Sequence, residues 1–287
     1  MAAPDRVRAA LHLIDWLGCA LAGASGPAGR AIAQGAKAGA NPFSATGVAG
    51  ATAMGGLGSL LEMDDVHRTA LLHPGPVVIP AALAVAHHMG ADILAAILAG
   101  YETMVRLGAA VGPAHYGFFH NTSTCGGIGS AAAAARGLGL TGAQAVWAMG
   151  HAMSSAGGLW QCRNEPGATK HLHVAEAARR GVQAALWAKA GLAGPRYVLE
   201  GPQGFFAALA SDGDPAAVLA GPASWRIHQV SFKPWPACRH AHPAIDAALS
   251  LHAGLDGRQV RAIRAIRVKT FADAVRFCDC PTPQTEA

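Results

Sequence analysis

Carboxylates and imidazoles are concentrated in residues 61–76, which read L-E-M-D-D-V-H-R-T-A-L-L-H-P-G-P. Such side chains supply proton donors and acceptors near neutral pH. They can also ligate a divalent metal, but the spacing does not match a calcium-binding loop. The alternative is a capped, hydrogen-bonded loop without catalytic function. The titratable residues of this segment are Glu62, Asp64, Asp65, His67 and His73.

A second segment, residues 115–132, combines a histidine with hydroxyl side chains. His120 stands just before an expected helix N-terminus, where Thr122, Ser123 and backbone amides would favour an anion. The run G-I-G-S-A-A is not a dinucleotide-binding loop, because no strand precedes it and no acidic residue follows before Glu165. Its glycines instead predict close packing of helices.

A lysine opens the helix predicted in the third segment, residues 169–181, T-K-H-L-H-V-A-E-A-A-R-R-G. The helix dipole disfavours a cation at that end, so binding of a substrate carboxylate would explain Lys170. His171 and His173 are two positions apart and do not share a helix face. This spacing argues against a metal site formed by the two histidines.

The fourth segment, residues 232–246, reads F-K-P-W-P-A-C-R-H-A-H-P-A-I-D. Two prolines predict an extended start, followed by a helix from about His240. His242 and Asp246 are four positions apart and therefore neighbours on one helix face. The spacing predicts that Asp246 orients His242, and a simple core pair is the alternative.

Composition excludes several classes of protein. Hydrophobic residues make up 52% and charged residues 14%, and much of the apolar content is Ala and Gly, which suits closely packed helices. The longest apolar runs are broken by residues such as Asp92 and Arg136, so we expect no membrane span. Asp15 interrupts the apolar N-terminal segment, which argues against a signal peptide and predicts a cytoplasmic protein.

Charge and cysteine content add two exclusions. The net charge of +5 comes without a cluster of basic and aromatic residues, so nucleic-acid binding is not expected. The six cysteines are scattered along a chain that is long enough to form its own core, which predicts reduced thiols rather than a disulfide scaffold.

Helix-forming patterns fill the first two-thirds of the chain, and Thr141 is an expected N-cap. From Trp225 to Phe232 the pattern becomes extended, and a helix over 240–252 follows. In the run 260–271, Ile266 and Val268 alternate with charged residues, which predicts a half-buried strand. Because such a strand lacks later partners here, we expect the rest of its sheet in sequence that is absent. The predicted earlier helices are 5–22, 29–38, 51–61, 77–89, 92–111, 123–137, 142–155, 170–190 and 202–210.

The four segments, taken in order, resemble the successive motifs of the MmgE/PrpD family, which includes 2-methylcitrate dehydratase, cis-aconitate decarboxylase and iminodisuccinate epimerase. The resemblance implies an all-α fold: a large helical domain over residues 1–257, with its first helix incomplete. Residues 258–287 would be the start of an α/β lid domain that is truncated at its C-terminal side. The resemblance also implies a homodimer and an active site between the two domains, without metal or cofactor. The matching stretches are D-D-V-H-R-T-A-L-L-H-P-G, F-H-N-T-S-T-C-G-G-I-G-S-A, T-K-H-L-H-V-A-E-A-A-R-R-G and W-P-A-C-R-H-A-H-P-A-I-D-A.

The same resemblance carries active-site roles to six residues, with Glu62 or Asp64 as alternatives in the first motif, and the expected helix N-terminus after His120 adds Thr122. The catalytic candidates are His73, His120, His242 and Asp64. The candidates for substrate binding are Lys170, Glu62 and Thr122.

The predicted function is a cofactor-independent lyase or isomerase, with hydro-lyase as the first choice. It would transfer a proton at a carbon next to a carboxylate of a small di- or tricarboxylic acid. The stretch between Glu102 and Glu165 contains no acidic residue, which favours a positive pocket for such an anion. Two alternatives stay open. One is an inactive truncated paralogue or dimerisation scaffold that needs a separate lid chain, and the other is a zinc or iron enzyme that uses the fourteen histidines.

Overall fold

The computed structural model describes residues 2–87, 90, 92–221 and 224–279, and within them the chain is mainly helical. The prediction of an all-α fold is confirmed, since the described ranges contain a single sheet of two short antiparallel strands, β1 (Val66–His67) and β2 (Val230–Ser231). The helices are α1 (Ala3–Ala24), α2 (Pro27–Gly35), α3 (Gly47–Ser59), α4 (Gly75–Ala84), α5 (Ile93–Ala110), α6 (Pro113–Phe118), α7 (Asn121–Gly137), α8 (Gly142–Ser154), α9 (Thr169–Lys189), α10 (Phe205–Leu209), α11 (His242–Ala253), α12 (Gly257–Arg261) and α13 (Ala272–Cys278).

Helices α7 and α9 lie side by side at the centre of the first unit, and α3, α4, α5 and α8 pack around them. Small residues permit this close approach. A Cβ atom at Gly181 on α9 would overlap the side chain of Ser130 on α7. The Ser130 hydroxyl also donates a hydrogen bond to the carbonyl of Ala178, at 2.7 Å. In the second segment, a Cβ atom at Gly126 would also lie only 2.9 Å from the side chain of Ala177 on α9, so this glycine serves helix packing, as the sequence predicts.

The close contact between α7 and α9 makes Gly181→Ala a destabilising substitution. We expect a loss of about 1–3 kcal/mol in the free energy of unfolding, because a well-packed interface cannot accept the added methyl group. Gly18→Ala in α1 is the matched control, since nothing lies within 4 Å of the added Cβ. The control should gain up to about 1 kcal/mol from helix propensity. Urea unfolding measures both, and equal effects of the two variants would contradict the packing argument.

The chain divides into two compact units, residues 1–232 and 233–287. The predicted domain boundary at residue 257 lies inside the second unit. This unit contains a short 3-10 turn, Arg239–Ala241, followed by α11, α12 and α13.

The predicted strand over 260–271 is wrong as a strand assignment. Residues 257–261 form α12, begun by the Asp256 side chain, which accepts hydrogen bonds from the backbone amides of Arg258 and Gln259. Residues 263–271 have no regular secondary structure. An alternating pattern indicates a surface that fits a sheet, but a strand forms only where a neighbouring strand supplies its hydrogen bonds.

Several helix boundaries differ slightly from their predictions. Helix α7 begins at Asn121, so Thr122 and Ser123 lie in its first turn and His120 is the N-cap residue. The N-cap at Thr141 is confirmed, because its hydroxyl accepts from the backbone amide of Gln144. The end of the helix predicted over 77–89 falls partly outside the described residues, and α4 itself ends at Ala84.

Two described helices, α1 and α5, are long and apolar enough to span a membrane by length and composition alone. Over half of the most apolar part of α5, 56%, is buried inside the protein, as in the core helix of a soluble protein. Helix α1 interacts through its buried face with α3, and its segment includes the buried residues His12 and Trp16. Neither helix is therefore strong support for membrane insertion.

Candidate active site

The loop between α3 and α4 carries the first motif and places Asp64 beside His73. The distance between His73 Nδ1 and Asp64 Oδ2 is 3.3 Å. The same nitrogen donates to the carbonyl oxygen of Asp65 at 2.8 Å. The backbone amide of His73 donates to Thr122 Oγ1 at 3.1 Å, which ties the loop to the first turn of α7. Because a carbonyl only accepts hydrogen bonds, Nδ1 carries a proton, and Nε2 is the basic nitrogen of the neutral ring.

His120 is buried at the start of α7, with its ring between two aromatic neighbours. The ring centroid lies 4.4 Å from that of Trp160 and 5.7 Å from that of His173. Its Nδ1 atom is buried and has no hydrogen-bond partner in the part of the chain that the structure describes. Burial first, and then the nearby Lys170 and His73 side chains, hold the pKa of His120 well below its ordinary value. His120 is thus a neutral imidazole at neutral pH.

Lys170 is the second residue of α9, and its Nζ atom forms an ion pair with Glu62 Oε1. The prediction that this lysine stands at the head of a long helix is confirmed. Glu62 has a φ angle of +55°, in the left-handed region that side chains other than glycine rarely adopt. Such a backbone conformation costs about 1–3 kcal/mol and is concentrated at functional sites. The Glu62 carboxylate thus balances the Lys170 cation at the helix end that disfavours positive charge, and the backbone of Glu62 is strained.

His171 and His173 have different neighbours, as their spacing predicts. His171 Nδ1 lies 3.3 Å from the hydroxyl of Ser59 on α3. His173 instead lies near His120. Burial lowers the pKa of both rings. In the described ranges, no three His, Cys, Asp or Glu side chains are grouped so that they could hold a metal ion.

The structure brings six of the seven predicted site residues into one region of the first unit. Contacts join Asp64 and Thr122 to His73, and Glu62 to Lys170. Lys170 and His73 both contribute to the lowered pKa of His120, which links the two pairs. The loop before α4, the start of α7 and the start of α9 thus carry these six residues in one region of the first unit.

Sequence profiles of two domains match this chain. The profile of the MmgE/PrpD N-terminal domain matches residues 3–218, and that of the MmgE/PrpD C-terminal domain matches residues 235–287. The chain belongs to the MmgE/PrpD family. The resemblance seen in the four motifs is thereby confirmed.

Several relatives of this MmgE/PrpD chain carry the name cis-aconitate decarboxylase. The protein from Homo sapiens is 33% identical over 212 residues, which are 68% of this chain and 42% of the relative. The protein from Mus musculus is 31% identical over the same shares of the two chains. The protein from Aspergillus terreus is 29% identical over 66% of this chain and 42% of the relative. The matched segment thus spans less than half the length of these relatives.

The seventh predicted residue of the MmgE/PrpD site, His242, lies in the second unit at the start of α11. Its Nε2 atom is 3.2 Å from the carbonyl oxygen of Ala237. The prediction that Asp246 orients His242 is wrong, because the Asp246 carboxylate accepts instead from the indole nitrogen of Trp235, at 2.9 Å. The helical spacing permits a contact between His242 and Asp246, but the Asp246 carboxylate accepts its hydrogen bond from an indole eleven residues away in sequence.

Trp160 and His173 touch His120, and sequence reasoning did not assign either to the site. Trp160 belongs to a short 3-10 turn, Trp160–Arg163, that precedes α9. The one available signal in the sequence is a tryptophan two positions after the glycine pair at 157–158. An open pocket of about 660 Å³ reaches His173, and Ser123 and Arg180 also line it.

The buried histidines of this MmgE/PrpD chain predict that acid destabilises it. The pKa values of His120 and His173 are lowered, so the folded state stays neutral while the unfolded chain takes up protons below about pH 6.5. The unfolded state then binds more protons, and the free energy of unfolding falls as pH falls below that value. Urea unfolding between about pH 7 and about pH 5 measures the slope.

A variant separates the contribution of His120 from that of other groups. His120→Asn removes the titrating ring, so its stability should depend less on pH than that of the natural protein over the same range. His252→Asn is the control, because His252 is exposed near the end of α11. A stability that rises on acidification, or an equal change of slope in both variants, would contradict the prediction.

Proposed function

We propose that this chain carries the proton-transfer and carboxylate-binding groups of a cofactor-independent lyase or isomerase. Its substrate would be a small di- or tricarboxylic acid, and the reaction a dehydration, decarboxylation or epimerisation next to a carboxylate. The observation that carries the proposal is the grouping of a neutral His120, an Asp64-paired His73 and Lys170 in one region. Membership in the MmgE/PrpD family supports the same class of reaction.

Lys170 is the proposed site for a substrate carboxylate. Its ammonium group is at the head of α9, where the helix dipole adds to the positive potential. Glu62 balances this charge in the structure described here. A substrate carboxylate would compete with Glu62 for the lysine, and the partly exposed position of both side chains, 31% for Lys170 and 25% for Glu62, leaves the pair accessible.

His73 and His120 are the proposed proton-transfer groups. Loss of a proton, or of CO₂, next to a carboxylate leaves extra negative charge on that carboxylate, which a fixed cation stabilises. A proton taken up at His73 Nε2 gives an imidazolium whose Nδ1–H faces Asp64 and the Asp65 carbonyl. His120 starts as a neutral ring and so is able to accept a proton. In a decarboxylation, the carbon–carboxylate bond breaks, CO₂ leaves and the carbon takes a proton.

The names of the relatives make cis-aconitate the first substrate to test. The proposal also includes a homodimer, as the family resemblance implies, and a location in the cytoplasm.

Proton NMR in heavy water tests the proposed activity. The purified chain is incubated with cis-aconitate and with citrate-like and succinate-like acids, and we expect deuterium incorporation or a new product at the carbon next to a carboxylate. Lys170→Met is the negative control. Absence of exchange and of turnover across the whole panel would count against catalysis. Binding of these acids without turnover would favour the scaffold that needs a separate lid chain.

A further inference from the structure

We infer that Asp65 is a positioning residue that fixes both the tautomer and the placement of His73. The inference rests on the proposed function, in which His73 Nε2 transfers the proton. Asp65 itself is buried and does not belong to the groups assigned to substrate binding or proton transfer. Its effect on the reaction would pass through His73.

The carboxylate of Asp65 is held by donors from three helices. Its Oδ2 atom accepts from the hydroxyl of Tyr101 on α5 at 2.6 Å and from His12 Nδ1 on α1 at 2.7 Å. Its Oδ1 atom accepts from the backbone amide of Gly75, the first residue of α4, at 2.8 Å. Charge-assisted hydrogen bonds of this kind are short and directional. Three separate elements therefore define the position of one residue.

The bond to Gly75 closes the loop that contains His73. Within this loop, the backbone amide of His67 donates to the carbonyl of Leu72 at 2.9 Å. This second hydrogen bond across the loop joins residues that are closer together in sequence. His73 follows directly. Its Nδ1 atom donates to the backbone carbonyl of Asp65 at 2.8 Å. The residue whose side chain is anchored thus presents the carbonyl that selects the protonated nitrogen of His73.

The surroundings of the Asp65 carboxylate keep it ionised. Burial alone would raise the pKa of Asp65, but the bonds from His12, Tyr101 and Gly75 bring it below its ordinary value. Burial and the neighbouring Asp65 charge raise the pKa of Tyr101, so its hydroxyl keeps its proton and continues to donate. The absence of a side chain at Gly75 is also required, because a Cβ atom there would lie 2.8 Å from Asp65 Oδ1.

Nitrogen NMR of the imidazole rings tests the inference without depending on activity. The natural protein should give a His73 spectrum with a protonated Nδ1 and an unprotonated Nε2. In Asp65→Asn and in Tyr101→Phe, the two tautomers should mix, because the carbonyl loses its fixed position. If Asp65→Asn does not fold, the milder variant Tyr101→Phe alone carries the test. The assignment is made by comparison with the spectrum of His73→Asn.

Kinetics supply the second readout. With a substrate that the natural protein turns over, kcat should fall on the order of tenfold to a hundredfold in Asp65→Asn, while KM changes little, as for other residues that orient a reacting group. Ser130→Ala is the matched control, since it removes a buried hydrogen bond between α7 and α9, away from the loop. The control should lose stability but keep the His73 tautomer and kcat.

The outcomes separate this inference from the proposed function. If no acid is turned over but the tautomer changes as expected, the proposed function fails and the positioning by Asp65 stands. If the natural protein is active and both Asp65→Asn and Tyr101→Phe keep the tautomer and kcat, the inference is overturned. A change of tautomer in Ser130→Ala as well would mean that general loss of packing is the cause, and would also overturn it.

Discussion

Replacement of Lys170 by methionine is expected to lower kcat/KM for a small polycarboxylate on the order of 10²–10³-fold, the usual effect of removing one group that stabilises a developing anion. Methionine keeps the length and apolar body of the side chain and removes only the ammonium group. The effect should appear mainly in kcat if the cation stabilises the transition state more than the bound substrate. Steady-state kinetics on the substrate identified by NMR measures both constants.

A second lysine on the same helix is the control for this prediction. Lys189 is the last residue of α9 and is exposed, so Lys189→Met changes the net charge equally without touching the candidate site. Its kinetics should match those of the natural protein. The variant Glu62→Gln keeps the lysine and removes its carboxylate partner. Unchanged kinetics in Lys170→Met would show that the ion pair with Glu62 is structural only.

Much of the helical fold could be predicted, because its causes are local. The helix predicted over 170–190 is α9, Thr169–Lys189, and the one predicted over 92–111 is α5, Ile93–Ala110. An N-cap side chain such as Asp92, a glycine soon after the last turn such as Gly191, and helical periodicity all act within a few residues of one another. These signals are present in the sequence before any tertiary contact forms.

The errors arise where partners distant in sequence decide the structure. Strand β1 is two residues long and exists because it pairs with β2, far along the chain. In the run 260–271, the alternation predicted a strand that does not form, since the described residues place no neighbouring strand beside it. Edge hydrogen bonds are supplied by another segment, and no local pattern contains that information.

The candidate site also has features that the sequence predicted and features that it did not. Residue types and motif order identified Asp64, His73 and Lys170, but not the contacts that make them chemically useful. The Lys170 pair with Glu62 joins residues 108 positions apart, and the contact between Asp65 and His12 spans 53 positions. The pairing of Asp246 with Trp235 instead of His242 is a further example. Sequence spacing tests neighbours on one element, whereas side-chain partners come from packing between elements.

Replacement of His73 by asparagine should reduce kcat on the order of 10²–10⁴-fold, the range typical of a positioned acid or base. The asparagine amide can still donate toward the Asp65 carbonyl, which accepts from Nδ1 at 2.8 Å in the natural protein. The loop should therefore keep its fold, while the basic nitrogen at the Nε2 position is lost. Unfolding by urea, measured in parallel, checks that the variant is folded.

The companion variant Asp64→Asn tests whether the neighbouring carboxylate contributes to proton transfer. Asp64 Oδ2 lies 3.3 Å from His73 Nδ1, close enough to stabilise the ring when it becomes positively charged. Asp64→Asn retains the ring and its tautomer, so we expect a smaller loss of kcat than in His73→Asn. If His73→Asn kept full activity while Lys170→Met abolished it, the proton would have to move through another group such as His120, and the role of the Asp64–His73 pair would be structural.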